Sequence, residues 1–138
     1  FEAALAAGEM VEHAVVHGRD YYGTPRAEVD PFRERGIGVL LVIDVQGAEQ
    51  VRNAYPGDHR SVFLVPPAFE DLEARLVGRG ENPEAIRRRL RTAEIEMARR
   101  DEFDVAIRNE DLDAAAAELA AVIRAEFTQR EVSTCSTT

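Results

Sequence analysis

The chain has 138 residues, 45% hydrophobic and 31% charged, ordinary proportions for one globular domain long enough to bury a core. No apolar run approaches the roughly 20 residues that span a bilayer, and there is no signal-peptide pattern, so no membrane partner is expected. The net charge of −9 argues against a general nucleic-acid binder, which would present a basic face. A small phosphorylated ligand stays open, because it needs only a few well-placed arginines. All 17 basic residues are arginine, so no chemistry in this chain can use a lysine. The single cysteine, Cys135, permits no internal disulfide, which fits a cytoplasmic location.

In chain order, Phe1 to Ala7 reads as the end of a helix, stopped at Gly8. Met10 to His17 is strand-like through Val11, Val15 and Val16, with Gly18 ending it, and Glu12 alone reads as a solvated strand residue. In Gly18 to Pro25 the glycines mark turns, and Thr24-Pro25 predicts a helix start with threonine as cap. Pro31 then predicts either a kink or a fresh start with Asp30 as cap, and Gly36 closes the segment.

Gly38 to Asp44 is an unbroken apolar run rich in β-branched residues, which predicts a strand covered on both faces, as in a parallel sheet. It delivers Asp44 at its carboxyl end, where ligands sit in open α/β sheets, although an Asp there is often only a helix cap. A short helix with Ala48, Val51 and Tyr55 on one face follows and stops at Pro56-Gly57. Ser61 to Val65 predicts a second strand. Glu70 to Arg79 predicts a helix burying Leu72 and Leu76, with Arg75 and Arg79 one turn apart. From Pro83 an amphipathic helix inclines Ile86, Leu90, Ala93 and Met97 inward. Each arginine of its cluster, Arg87, Arg88, Arg89 and Arg91, reads singly as surface. Asp104 to Arg108 predicts a third strand, followed by a helix with Leu112, Leu119 and Ile123 inward and a disordered tail from 128 to 138. Strands alternating with helices indicate a three-layer α/β architecture.

One ordered series of short motifs carries more. Glu12-His13-Ala14, Tyr21-Tyr22-Gly23-Thr24 and Ile43-Asp44-Val45-Gln46-Gly47 come first. Val65-Pro66-Pro67, Arg75-Leu76, Arg79-Gly80, Arg89-Leu90 and Asn109-Glu110-Asp111-Leu112 continue it. From Phe1 to about Phe127 the series resembles guanylate kinase, the nucleoside monophosphate kinase that passes the γ-phosphoryl of ATP to GMP. The resemblance implies a P-loop-kinase-like parallel sheet with helices on both faces, a small β-rich GMP-binding subdomain at 1–37 and a core at 38–79 and 91–127. It also implies a helical lid at 80–90.

By resemblance, Glu12 and Asp44 would read guanine. Its N1–H and amino group are adjacent donors that a carboxylate accepts together and that adenine lacks. Thr24 would bond guanine O6 and Tyr22 the GMP phosphate. Arg75, Arg79 and Arg89 would serve catalysis by meeting the ATP phosphates, in a transfer run mostly by positioning and electrostatics. Asn109 would lie near the adenine of ATP, and Mg2+ would accompany the nucleotide.

The sequence departs from the pattern in several places. The family's glycine-rich phosphate loop ending in lysine is absent and is expected upstream of Phe1, as is the serine-, threonine- and arginine-rich segment that follows it. Val42 stands where the family usually has an acid near magnesium. The turn before Tyr21 is one residue longer than usual, and the lid around Glu81 one shorter. The chain is therefore expected to lack amino-terminal strands, to be a fragment inactive by itself, and to carry unpaired strand edges that favour aggregation. The alternative is a guanylate-kinase-like binding domain of a scaffold protein that has given up catalysis.

Overall fold

A computed structural model describes residues 1–16 and 20–135. The chain divides into two compact units, Phe1–His59 and Arg60–Thr138.

The first unit is built on an antiparallel hairpin. Helix α1, Glu2–Ala6, leads through Gly8, whose φ of 69° suits glycine, into β1, Met10–Val16, which pairs with β2, Asp20–Pro25. The register slips between Met10 and Glu12. A bulge of this kind re-aims neighbouring side chains, and here the consecutive residues Val11 and Glu12 are both buried. Val11 joins Val29 and Tyr55 in the core of the unit, with Leu41, Val51 and Ala54 packed around them.

Several expectations change in this unit. Tyr21 to Thr24 lie in a strand rather than a turn, while the turn expected at Gly18 falls outside the described residues. Thr24 does not cap a helix: its hydroxyl donates across the hairpin to Glu12. Pro25 ends the ladder opposite Met10, a place where its missing N–H costs little. The chain makes a single 3-10 turn at Arg26–Glu28, then starts afresh as α2, Asp30–Arg33, with Val29 in the cap position and Asp30 in the first turn.

A further correction concerns the apolar run. Residues 37–44 form no strand, because a strand exists only through a shared ladder and neither sheet among the described residues includes them. The segment is covered on one face, not two. Leu41 and Ile43 are half-buried, whereas Leu40 is exposed and Val42 is 94% exposed, an alternation that matches extended backbone. Helix α3, Val45–Ala54, follows as expected and ends at Tyr55 before Gly57, whose φ is 75°.

The second unit holds a parallel pair, β3, Val62–Val65, and β4, Val105–Arg108, with Val62 opposite Val105 and Val65 opposite Arg108. Parallel neighbours need a long crossover, supplied by α4, Phe69–Gly78, and α5, Pro83–Met97. Ile107, 0% exposed, is the most deeply buried side chain among the described residues, and Phe63 meets Phe103 edge-on with ring centres 5.1 Å apart. The two strand starts are tied together by Asp104 Oδ2, which accepts from both the N–H and the hydroxyl of Ser61 at 2.7 Å. Leu76 and Ile86 are buried as expected, and Leu72 is half-buried.

Helix α6 runs from Leu112 to Cys135, so the backbone stays helical through most of the tail expected to be disordered; residues 136–138 lie outside the described ones. Its inward face is Ala115, Leu119, Val122 and Glu126. Leu112, expected inward, opens the helix and is 76% exposed, and Ile123 stands one step round from Val122, also exposed. The architecture is α/β with a parallel strand pair. No helix among the described residues is long and apolar enough to cross a membrane.

Candidate functional site

In the first unit, the hairpin sorts its side chains by strand alternation. Glu12 stands directly opposite Thr24, and Ala14 opposite Tyr22, so Glu12, Thr24 and Tyr22 share one face of the sheet. Thr24 Oγ1 donates to Glu12 Oε1 at 2.6 Å. Glu12 is 6% exposed, a buried carboxylate, while the Tyr22 ring is exposed. The opposite face is aromatic, with Tyr21 5.1 Å and His13 6.4 Å from the ring of Phe1. Gly23 is needed here, because a Cβ would come within 2.7 Å of the Glu12 carbonyl and 2.6 Å of the Met10 side chain.

The start of α3 meets the Glu12 face. Asp44 caps the helix, its Oδ1 accepting from Gly47 N–H at 2.8 Å, as a carboxylate at a helix N-terminus favours. A Cβ on Gly47 would lie 3.0 Å from Glu12 Oε2 and 3.5 Å from Asp44 Oδ1. The two carboxylates singled out in the sequence therefore converge on one glycine in the first turn of α3. That glycine leaves room for both.

Sequence reading missed Gln50, one turn further along α3. Its Oε1 accepts from His13 N–H at 3.0 Å and its Nε2 donates to the His13 carbonyl at 2.8 Å. A glutamine on a helix gives no signal in the chain that it will serve a strand 37 residues away.

A second polar cluster anchors the far end of α3. The Tyr55 hydroxyl donates to Asp30 Oδ1 at 2.7 Å, and the Arg33 guanidinium lies 3.8 Å over the Tyr55 ring while bonding Asp58 and Asp30. Burial, and then the bond to Asp30, pushes the Tyr55 hydroxyl above the ordinary tyrosine value. The Arg33 value is raised as well, chiefly by its hydrogen bond to Asp58.

In the second unit, Arg75 on α4 reaches Asn109, just beyond β4, donating to its carbonyl at 3.3 Å. Arg75 lines an open groove of about 470 Å³ with Pro67, Asp71, Ala74 and Glu110. Arg79 stands at the C-terminal end of α4, exposed. Arg89, also exposed, pairs with Glu81 at 3.1 Å. Asn109 and Arg75 are thus brought together, while Arg89 is held from the turn that precedes its own helix.

Val42 is apolar and 94% exposed. Among the described residues no group of three or more His, Cys, Asp or Glu side chains is gathered to hold a metal.

Fold and side chains together define an α/β protein with a carboxylate-and-hydroxyl face in one unit and exposed arginines on the helices of the other. The family model described as guanylate kinase matches residues 1–126. A guanylate kinase of Bifidobacterium longum is 47% identical over 131 residues, covering 92% of this chain and 67% of its own. One from Leifsonia xyli is 46% identical over 120 residues, covering 86% and 47%. The crystal structure of guanylate kinase from Anaplasma phagocytophilum superposes with a TM-score of 0.76 at 32% identity, over 91% of this chain and 60% of that one. The chain belongs to the guanylate kinase family. It spans roughly half to two thirds of the length of these relatives.

Proposed function

We propose that this chain supplies the GMP-binding and ATP-facing parts of a guanylate kinase, which transfers the γ-phosphoryl group of ATP to GMP in cytoplasmic purine nucleotide metabolism. In that reading residues 1–37 are the GMP-binding subdomain, 38–79 and 91–127 the core of a three-layer fold, and 80–90 the lid. The observation that carries it is the convergence of Glu12 and Asp44 on Gly47. Two carboxylates at the start of one helix can accept the N1–H and amino donors of guanine, and adenine would leave them badly paired.

Thr24 refines the picture. A hydroxyl has one proton to donate, and here Glu12 takes it. For Thr24 to bond guanine O6, an acceptor, the hydroxyl must turn away from Glu12 as the base arrives. The freed Glu12 oxygen then accepts from guanine. The Thr24 proton thus holds the place of the guanine donor until the base comes.

Tyr22, exposed on the same face, would donate to the GMP phosphate. Arg75, Arg79 and Arg89 would meet the ATP phosphates and offset the charge that develops in transfer, with Asn109 at the adenine. Magnesium, the family's companion to ATP, would come with the nucleotide, held mostly by its phosphates.

Calorimetric titration tests the reading. GMP is expected to bind the chain with AMP failing to mimic it, and Glu12→Ala to abolish the GMP heat. Equal affinity for GMP and AMP would overturn the guanine site.

A binding module without catalysis is favoured by one observation, the exposed Val42. ATP separates the two when titrated into the full-length protein: binding that Arg75→Ala weakens supports the kinase, whereas a protein that binds GMP and ignores ATP supports the module.

A further inference from the structure

We infer that Gln50 is a positioning residue for Glu12, and through Glu12 for the choice of guanine; this rests on the guanine reading above. Both polar groups of the His13 backbone go to one side chain, with Gln50 Oε1 taking the N–H at 3.0 Å and Nε2 serving the carbonyl at 2.8 Å. His13 is paired with Gly23 across the hairpin, so bonds that leave toward α3 mark the outer edge of β1. Gln50 acts there as a strand partner one residue long, giving an edge the pairing it otherwise lacks.

The neighbour of His13 is Glu12. Its carboxylate lies against the first turn of α3, with Oε2 at 3.0 Å from the place a Gly47 Cβ would take. Gly47 and Gln50 are three apart on that helix, hence on one face. One helical face therefore does two things to one stretch of β1: it grips the backbone at His13 and leaves a recess for the carboxylate at Glu12. Since Asp44 caps the same helix, the grip at His13, alongside the packing of Val11 with Val51 and Ala54, fixes the distance between the two carboxylates.

Only an amide can make both bonds. Glutamate at position 50 would still accept from the N–H but turn a carboxylate oxygen toward the His13 carbonyl. Methionine, of similar length, would make neither bond. The grip also differs from ordinary core support, because no apolar contact is needed for it. Its loss should fall on guanine selectivity rather than on nucleotide binding in general.

The test titrates GMP and AMP into the full chain, Gln50→Met and Gln50→Glu, and follows amide hydrogen exchange at His13. The wild-type His13 amide is expected to exchange slowly. Gln50→Met should lower the GMP-over-AMP preference about tenfold, equivalent to about 1.4 kcal/mol, with AMP affinity unchanged. Gln50→Glu should lower it too, with part of the His13 protection kept. A Gln50→Met chain that keeps its preference within about twofold overturns the inference, as does equal loss of GMP and AMP. Should Gln50→Met fail to fold, the exchange rate decides, and a wild-type His13 amide as fast as an open one overturns the inference. A wild type without any preference for GMP would overturn the guanine reading itself, a result distinct from all of these.

Discussion

Thr24 Oγ1 and Glu12 Oε1 meet at 2.6 Å across directly opposed residues of an antiparallel pair. A short bond from a hydroxyl to a buried carboxylate is among the stronger protein hydrogen bonds. Thr24→Val keeps the shape and removes the donor. It is expected to destabilise the chain by about 1.5–3 kcal/mol, read as a lower midpoint in urea, and to weaken GMP binding. A midpoint unchanged in Thr24→Val would show that water replaces the hydroxyl without loss.

Asp44 has two roles that substitution can part. Serine caps a helix about as well as aspartate, and alanine costs about 1 kcal/mol. Asp44→Ser is therefore expected to hold the stability of the wild type, and Asp44→Ala to lose it, while both lose GMP affinity alike. If Asp44→Ser binds GMP as the wild type does, Asp44 is a cap and nothing more.

Gly47→Ala sets helix propensity against space. Alanine is favoured over glycine in a helix by about 1 kcal/mol, but its Cβ would meet Glu12 Oε2 at 3.0 Å and Ile43 Cβ at 3.1 Å. The expected outcome is a melting temperature near that of the wild type together with a GMP affinity about tenfold lower. Calorimetry and thermal melting on the same sample check both halves.

Tyr55 gives the chain an alkaline limit. Its value is raised in the folded state by burial and by the bond to Asp30, so the folded form keeps its proton at pH values where the unfolded form has lost it. Stability from this group is complete below the unfolded value of about 10 and declines as pH climbs from there through the folded value. Tyr55→Phe is expected to lower stability near neutrality by about 1 kcal/mol and to flatten the decline above pH ~10. Urea midpoints at a series of alkaline pH values measure it, and parallel profiles for both chains would remove Tyr55 as the cause.

The elements that the sequence predicted well are those whose signal is local. Helix α5 follows from Ile86, Leu90, Ala93 and Met97 at helical spacing after Asn82-Pro83, and β3 and β4 from short β-branched runs bounded by turn residues. Failures came where a distant partner decides. Tyr21 to Thr24 read as a turn because Gly23 interrupts them, yet β1 draws them into a ladder, and Gly23 serves close packing there. Residues 38–44 read as a strand, but pairing is not written in the pattern of one segment. Leu112 and Ile123 follow a helical period rotated from the face that β4 contacts. Of the candidate site, Glu12 and Asp44 stood out through the order of motifs, and their meeting at Gly47 is a tertiary fact. Gln50 had no signature at all, since its partners are backbone atoms.

The two sheets ask different things of a folding chain. In the first unit β1 and β2 follow one another closely, and hairpins of this kind form within about 1–10 μs. In the second, Ser61 and Asp104, whose bonds tie the strand starts together, stand 43 residues apart, with two helices to be formed and docked between them. Closing so long a loop must precede the contacts that reward it, and sequence-distant parallel pairing is slow for that reason. The first unit should thus reach its pairing early, while Val62 to Val65 wait for Val105 to Arg108 to emerge from the ribosome. During synthesis, the order of the chain is itself the order of assembly.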